Sequence, residues 1–238
     1  MIHLVRAEWI KFRSVRSTVF TLLAAGGLVV IVAVLVVRHA NNHGETASLG
    51  DLTVGLALAS FLFGALGVQI IGSEYRFNTI RLTFTAAPHR LRVVIAKLIV
   101  ACGACSAVSA AMVAVCWLVG TLMADHFVVR GVDRRIAFGI VLFCALWTAA
   151  GVGIGAIVRQ PIAGILVMVG WSLIGESLLG SLVQATNAWL PYANGSQMAR
   201  EVDPGSDLQS VLGGGLYFAA ICFALVAIGA WLVDRRDA

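Results

Sequence analysis

Charged residues are scarce in this chain, and their scarcity excludes most water-soluble folds. Only 12% of the 238 residues are charged, 60% are hydrophobic, and the mean hydropathy is +0.93. A soluble domain of this length needs a polar shell that such a composition cannot supply, so we expect an integral membrane protein. The basic residues lie mainly beside apolar runs, where membrane orientation accounts for them. The net charge of +5 therefore predicts no nucleic-acid partner.

Motifs for enzymatic chemistry are also missing. The sequence contains no G-x-x-x-x-G-K-[ST] phosphate loop, no G-x-S-x-G elbow and no H-E-x-x-H pair. The chain therefore cannot hydrolyse ATP through a phosphate loop of its own, and we expect no catalytic residue, metal or cofactor in it. Cys102 and Cys105 form a C-x-x-C pair, but they lie in an apolar run and are interpreted as small buried thiols.

Long apolar runs, by contrast, are abundant. A helix needs roughly 20 residues to cross a hydrocarbon core. Runs of that length occur at 18–37, 52–71, 98–123, 136–158, 162–183 and 211–233. Each run is predicted to be helical, because backbone groups in lipid must be paired within their own segment. Residues 1–238 are therefore interpreted as a single all-α transmembrane domain with six transmembrane helices.

The N-terminal residues have a different pattern. Ile2, Val5, Trp9 and Phe12 recur at helical spacing, with basic residues off that stripe. This pattern predicts an amphipathic interfacial helix over 1–17, with Trp9 at the membrane interface. The alternative interpretation is a merely basic flank that orients the first span.

The distribution of basic residues predicts the orientation. Most of the 17 Lys and Arg residues lie in segments 1–17 and 72–97, in the short connection at 159–161, and after residue 233. Cytoplasmic segments are enriched in Lys and Arg, so both termini are predicted to be cytoplasmic. The arginines between 130 and 135 argue for the opposite orientation but are outnumbered.

Segment 72–97 concentrates charge between two apolar runs. It contains Glu74, five basic residues and Pro88, which is one of only four prolines. A charged segment of this size between two spans must lie in water at one membrane face. Its content favours a docking surface over a simple connector.

One carboxylate, Glu176, lies inside a predicted span, beside Ser177. An acid in the membrane is costly to bury unless it is protonated, paired or wetted, so Glu176 is a candidate functional residue. An equally weighted hypothesis is a structural acid, hydrogen-bonded to the outer loop or to a neighbouring helix. The outer loop, 184–210, contains Trp189 and Tyr192, and its composition is compatible with a segment that re-enters the membrane.

These features together resemble the ABC type-2 transporter permeases, the membrane subunits of one class of ATP-driven exporters. The residues of the 72–97 segment that match are Glu74, Arg76, Thr79, Arg81, Pro88, Arg90 and Lys97. Family members often carry Gly beside the Thr, where this chain has Asn78, a residue that tolerates a left-handed backbone. The stretch that begins at Glu176 and the run Trp189-Leu190-Pro191-Tyr192 are similar to the fifth span and outer loop of these permeases.

The resemblance implies a division of labour between subunits. An ABC ATPase subunit, present in two copies, would bind ATP and Mg. Segment 72–97 would form a cytoplasmic coupling helix seated in a cleft of that ATPase. Two permease subunits, identical or similar, would pack about a two-fold axis. The second and fifth spans line the central path in this family, which implies that Glu176 and Ser177 lie near the substrate.

A physical interpretation of segment 72–97 agrees with that role. Its apolar side chains, Phe77, Ile80, Leu82 and Phe84, would supply contact area, while Arg76 and Arg81 would pair with acids of the ATPase. Segment 72–97 must be an ordered helix to transmit a rigid-body movement of the ATPase, because a flexible linker cannot do so.

The leading hypothesis is therefore the transmembrane permease subunit of an ATP-driven exporter in the bacterial plasma membrane, which moves a hydrophobic or amphipathic compound outward. Two alternatives stay open. One is a small proton-coupled secondary transporter that uses Glu176. The other is a non-transporting membrane anchor that recruits a cytoplasmic partner through 72–97.

Overall fold

The computed structural model describes residues 1–87, 89–200 and 210–235, and it is 87% helical. The helices are α1 Ile2–Ser14, α2 Arg16–His43, α3 Leu49–Leu52, α4 Val54–Arg76, α5 Ile80–Ala86, α6 Arg90–Met123, α7 Asp133–Val158, α8 Pro161–Gly170, α9 Glu176–Leu182, α10 Pro191–Ser196 and α11 Val211–Arg235. A π-helical turn, Trp171–Gly175, joins α8 to α9, and 3-10 turns lie at Gln184–Trp189 and Gln197–Ala199.

Six helical stretches are long and apolar enough to cross a membrane. They are Arg16–His43, Leu49–Arg76, Arg90–Met123, Asp133–Val158, Pro161–Leu182 and Val211–Arg235. The chain is an all-α, multi-pass membrane protein, and each expected span falls within one of these stretches to within a residue. Helical hydrogen bonding continues past the apolar residues, so the helices are longer than the apolar runs. The largest difference is at the third span, whose helix begins at Arg90, eight residues before the expected start at 98.

Two further details were not expected from the sequence. A break at Thr53 separates α3 from α4 within the second span. Strand β1, Ala47–Ser48, pairs in parallel with strand β2, Phe127–Val128, so the connections after the first and third spans are joined.

Helix α7 lies at the centre of the bundle and packs against α4, α6 and α11. Its contact with α4 is close because glycines remove the side chains between the two backbones. A Cβ atom at Gly67 would collide with the carbonyl of Thr148, and one at Gly151 would collide with the carbonyl of Gly64. Small residues at such crossings allow membrane helices to gain dispersion contacts along their backbones.

The polar segments gather at two ends of the bundle. We call the end that carries Lys11, Arg76, Arg90 and Arg159 the basic end. There the Arg90 guanidinium donates a hydrogen bond to the carbonyl of Val233 at 3.1 Å, and the Arg159 guanidinium lies 4.7 Å from the ring centroid of Tyr75. Both ends of the described chain therefore lie at the basic end.

The opposite end is held by different contacts. The Asn41 amide donates to the carbonyl of Met123 at 2.9 Å, and the Arg135 guanidinium donates to the carbonyl of Arg200 at 3.1 Å. These bonds connect the loops that follow the first, third and fifth spans.

Helix α1 exists as expected, and its apolar stripe is partly buried against α6. Phe12 is buried against Val100 and Ala104 of α6, while Trp9 and Ile2 are exposed. The Trp9 ring stacks on the Phe12 ring at a centroid distance of 6.1 Å. The expected apolar stripe is therefore partly buried, with Phe12 packed against α6 and Trp9 exposed beside it. Only the side of α1 that carries Trp9 and Ile2 is free for the membrane interface.

Candidate functional site

The most distinctive polar feature of the basic end is a buried ion-pair network. Lys97, in the second turn of α6, is fully buried. Its ammonium nitrogen lies 2.8 Å from Glu8 Oε2, 2.7 Å from Glu74 Oε1 and 3.3 Å from the carbonyl oxygen of Ile70. All three N–H donors of the ammonium therefore have acceptors, which is the condition under which a buried charge is tolerated.

Lys11 completes the network from α1. Its ammonium nitrogen lies 2.9 Å from Glu8 Oε1, 3.0 Å from Glu74 Oε1 and 3.3 Å from Thr83 Oγ1. The two acids and two lysines alternate in a closed arrangement whose formal charge is zero. Three helices, α1, α4 and α6, are held together by it, and α5 is attached through Thr83.

The environment of Lys11 gives the network a direction of pH dependence. Burial lowers the pKa of the Lys11 ammonium, but hydrogen bonds and Coulomb attraction from Glu8 and Glu74 outweigh it and raise the pKa above 10.5. The stabilisation from a group with a raised pKa is fully present below its unfolded value and is lost as the pH rises through the folded value. The contribution of Lys11 is thus constant throughout the neutral range.

Helix geometry explains why a counter-charge is needed here. Glu74 is near the C-terminus of α4, where the helix dipole disfavours an acid. Two lysines next to its carboxylate reverse that penalty. Removing one partner from such a buried group costs more than the pair contributes, because an uncompensated charge is left behind.

Segment 77–86 forms a turn and a short helix outside the network. Asn78 has a φ of 55°, in the left-handed region that Asn adopts more readily than most residues. The turn lets α5 fold back, so that Ile80 is buried and Thr83 reaches Lys11. Among the exposed side chains of residues 76–85, two are basic and two are large and apolar, and we call these four the coupling surface: Arg76, Phe77, Arg81 and Leu82.

The coupling surface is apolar and basic. Phe77 is 68% exposed and Leu82 is 72% exposed, so two large apolar side chains lie beside the two exposed arginines. The Arg76 guanidinium lies 5.6 Å from the centroid of the Phe77 ring. The one acid of segment 72–97, Glu74, is engaged by the two lysines, so this surface presents no free carboxylate.

Other residues of the expected coupling set lie elsewhere. Thr79 is exposed, and its hydroxyl donates to the carbonyl of Glu74 at 3.4 Å. Arg90 is turned toward the end of α11, and its guanidinium lies 5.2 Å from the Phe84 ring centroid. Pro88 lies outside the described residues. Arg90 and Phe84 are therefore held within the chain and do not belong to the coupling surface.

A cavity of about 880 Å³ lies next to the network. Its walls come from the α1–α2 elbow, the basic half of α4, the turn and helix α5 with part of the coupling surface, Lys97 of α6, and the start of α8. Leu66, Ile70 and Ile165 supply apolar wall, while Gln69 and Ser73 add hydrogen-bonding groups. Such a mixture of apolar walls and a few polar groups is typical of a small-molecule site.

Glu176 lies at the end of the bundle opposite the ion-pair network. Its Oε1 accepts a hydrogen bond from the backbone N–H of Tyr192 at 2.8 Å, and its Oε2 accepts one from Ala193 at 2.8 Å. Both N–H groups belong to the first turn of α10, which has no side-chain cap of its own. This is the hydrogen bonding to the outer loop that the structural-acid hypothesis describes.

The described part of the outer loop packs into the bundle. The Tyr192 ring stacks on Phe61 at 5.1 Å and meets Trp147 edge-on at 4.9 Å between centroids. A cavity of about 530 Å³ beside this segment is lined in part by Glu176, Tyr192 and Ser177, and Ser177 is exposed. Residues 201–209 of the expected loop lie outside the described ranges.

Sequence reasoning singled out Glu74 but did not bring Glu8, Lys11 and Lys97 together with it. The available signal was composition, since the chain has only two lysines, Lys11 and Lys97, among its 17 basic residues. Their contacts join residues up to 89 positions apart, which no local pattern reveals. Within 1–87, 89–200 and 210–235, no cluster of three or more His, Cys, Asp or Glu side chains could hold a metal ion.

No protein-family model matches the chain, and no curated protein matches it.

Proposed function

We propose that this chain is the membrane subunit of an ATP-driven exporter of the ABC type-2 class, moving a hydrophobic or amphipathic compound outward. The observation that carries the proposal is the coupling surface, an apolar and basic patch attached to three helices through the buried network. The sequence has no phosphate loop, so an energy source of this kind must be a separate ATPase.

The partner face that fits the coupling surface is an apolar cleft with acidic residues at its rim. Phe77 and Leu82 would enter the cleft, and Arg76 and Arg81 would pair with the acids. Interfaces of this type depend on a few buried anchors surrounded by polar contacts. Movement of a docked ATPase would displace α5, and the network would transfer that displacement to α1, α4 and α6 together.

The cavity beside the network is the proposed entry point for the transported compound. It lies between the second span, which contains α4, and the fifth span, which begins with α8. A second permease subunit would close the central path. In this proposal the protein lies in the bacterial plasma membrane with both termini cytoplasmic, and the basic end faces the cytoplasm.

Arg81→Glu tests the proposal. The full chain, purified together with its ATPase and reconstituted in proteoliposomes, should show ATP hydrolysis that is coupled to export. Arg81→Glu places an acid opposite the acids of the cleft and should reduce ATP-driven export by on the order of tenfold or more. Arg134→Glu makes the same charge change at an exposed position of the opposite end and should leave export unchanged.

Transport by the purified chain alone, driven by a proton gradient, would contradict the proposal. In that case Glu176→Gln should abolish the activity, which identifies a proton-coupled transporter. If the chain recruits a partner but no compound is moved, the membrane-anchor alternative holds instead.

A further inference from the structure

The exposed face of α1 is basic and carries no acid. Arg6, Trp9 and Arg13 follow one another at spacings of three and four residues, so they share one side of the helix. All three are exposed, and Trp9 is 45% exposed. The single acid of residues 1–16 is Glu8, which is buried on the other side in the ion-pair network. Within the described ranges, neither arginine forms an ion pair.

The position of this face relative to the bilayer follows from the chain path. One residue, Val15, separates the end of α1 at Ser14 from the start of α2 at Arg16. Helix α2 is the first membrane span, so α1 lies at the level of the lipid headgroups. The network and Phe12 then fix the rotation of α1, and the arginine face is directed away from the bundle.

We propose that the Arg6–Trp9–Arg13 face binds anionic phospholipid, with the two guanidinium groups on the phosphate and Trp9 among the upper acyl chains. Guanidinium groups match phosphate oxygens in charge and in bidentate geometry. Indole rings favour the boundary between headgroups and chains, and the exposed Ile2 on the same helix adds apolar contact. The proposal depends on the six membrane-spanning helices and not on the proposed transport function.

Fluorescence quenching of Trp9 tests this inference. The full chain is placed in phosphatidylcholine nanodiscs that contain brominated phosphatidylglycerol or, at the same mole fraction, brominated phosphatidylcholine. Subtracting the signal of Trp9→Phe isolates the emission of Trp9 from that of the other tryptophans. Trp9 should be quenched at a lower mole fraction of the anionic lipid than of the zwitterionic lipid.

The matched variants decide whether the two arginines are responsible. Each basic residue near a membrane surface changes the affinity for anionic lipid about fivefold. The double variant Arg6→Gln, Arg13→Gln should therefore raise the half-quenching mole fraction at least about tenfold. The double variant Arg38→Gln, Arg134→Gln removes the same charge from exposed sites of the opposite end and should retain the wild-type selectivity.

Three results would overturn the inference. Equal quenching by the two lipids would mean a general apolar interface without headgroup selectivity. Absence of Trp9-specific quenching would mean that α1 is covered by protein, such as an acidic partner. Equal loss of selectivity in both double variants would mean that the net charge of the chain, and not this face, attracts the lipid.

Discussion

Lys97 is the residue on which the basic end depends most. Its ammonium group is enclosed by two carboxylates and a backbone carbonyl, with essentially no exposure to solvent. In this buried position the N–H donors of the ammonium have no alternative acceptors. The chemical identity of the side chain at position 97 therefore matters. Lys11 has the same two acidic neighbours, but nearly half of its side chain is exposed.

This difference in burial predicts different stabilities for two similar variants. Lys97→Met should destabilise the protein by about 3–5 kcal/mol, because no water reaches the buried position of the Lys97 ammonium to compensate the carboxylates of Glu8 and Glu74. Lys11→Met should cost about 1 kcal/mol or less, since water can take the place of the half-exposed Lys11 ammonium while the buried Lys97 still contacts both acids. Thermal unfolding in detergent, followed by circular dichroism, should show the larger drop in midpoint for Lys97→Met.

A second variant separates charge burial from packing. Adding Glu8→Gln to Lys97→Met removes one uncompensated carboxylate and should recover part of the lost stability. Equal midpoints for Lys97→Met and Lys11→Met would show that the network does not stabilise the fold in the way described.

Sequence patterns predicted the residues of this end only in part. Glu74 was singled out because it matches the permease pattern, and Asn78 was expected to permit a left-handed turn, which its φ of 55° confirms. The ion pair between Glu8 and Lys97 was not predictable, because it depends on how α1 crosses the start of α6. Arg90 shows the same limit, since its hydrogen bond to Val233 joins residues 143 positions apart.

At the scale of elements, α10 is the clearest case of one segment held by another. Its six residues are too few to form a stable helix alone, and its first turn is bonded to the carboxylate of Glu176. Glu176 opens α9 directly after the π-helical turn, at a point where the fifth span changes its helical pitch.

Glu176→Gln should therefore loosen α10. The amide can accept one hydrogen bond well but not two charge-assisted ones, and such bonds contribute about 1.5–3 kcal/mol each. Hydrogen–deuterium exchange at Tyr192 and Ala193 should accelerate by roughly tenfold or more. Ser177→Ala, at the adjacent exposed position, should leave this exchange unchanged. Unchanged exchange in Glu176→Gln would show that α10 is held by its aromatic contacts instead.

The existence of the spans was predictable because apolar runs of this length have few alternatives in lipid. The ends of the spans were less predictable, because helical hydrogen bonding continues past the last apolar residue. The helix that begins at Arg90 places Lys97 inside α6, although the apolar pattern alone placed it in the preceding connection. The pairing of Ala47 with Phe127 has no sequence signature, because two-residue strands are shorter than any periodic pattern.

For the molecule as a whole, the two polar ends have different construction. The basic end joins α1, α4 and α6 through ion pairs, attaches α5 through the hydrogen bond from Lys11 to Thr83, and leaves the coupling surface exposed. The opposite end seats α10 on Glu176 and on aromatic rings of the central helix α7. The closely packed α4 and α7 run between these ends, and α4 alone is about 34 Å long.

If a separate ATPase binds the coupling surface, cross-linking from within that surface should capture it. A photoreactive amino acid is placed at Leu82, which is 72% exposed on the coupling surface, and for comparison at Leu122, which is 74% exposed near the end of α6. After irradiation in the native cell membrane, the adducts are identified by mass spectrometry. We predict that Leu82, and not Leu122, captures a protein that contains a phosphate loop. Adducts from Leu82 that contain only lipid, or only proteins without a phosphate loop, would contradict the binding of an ATPase at this surface.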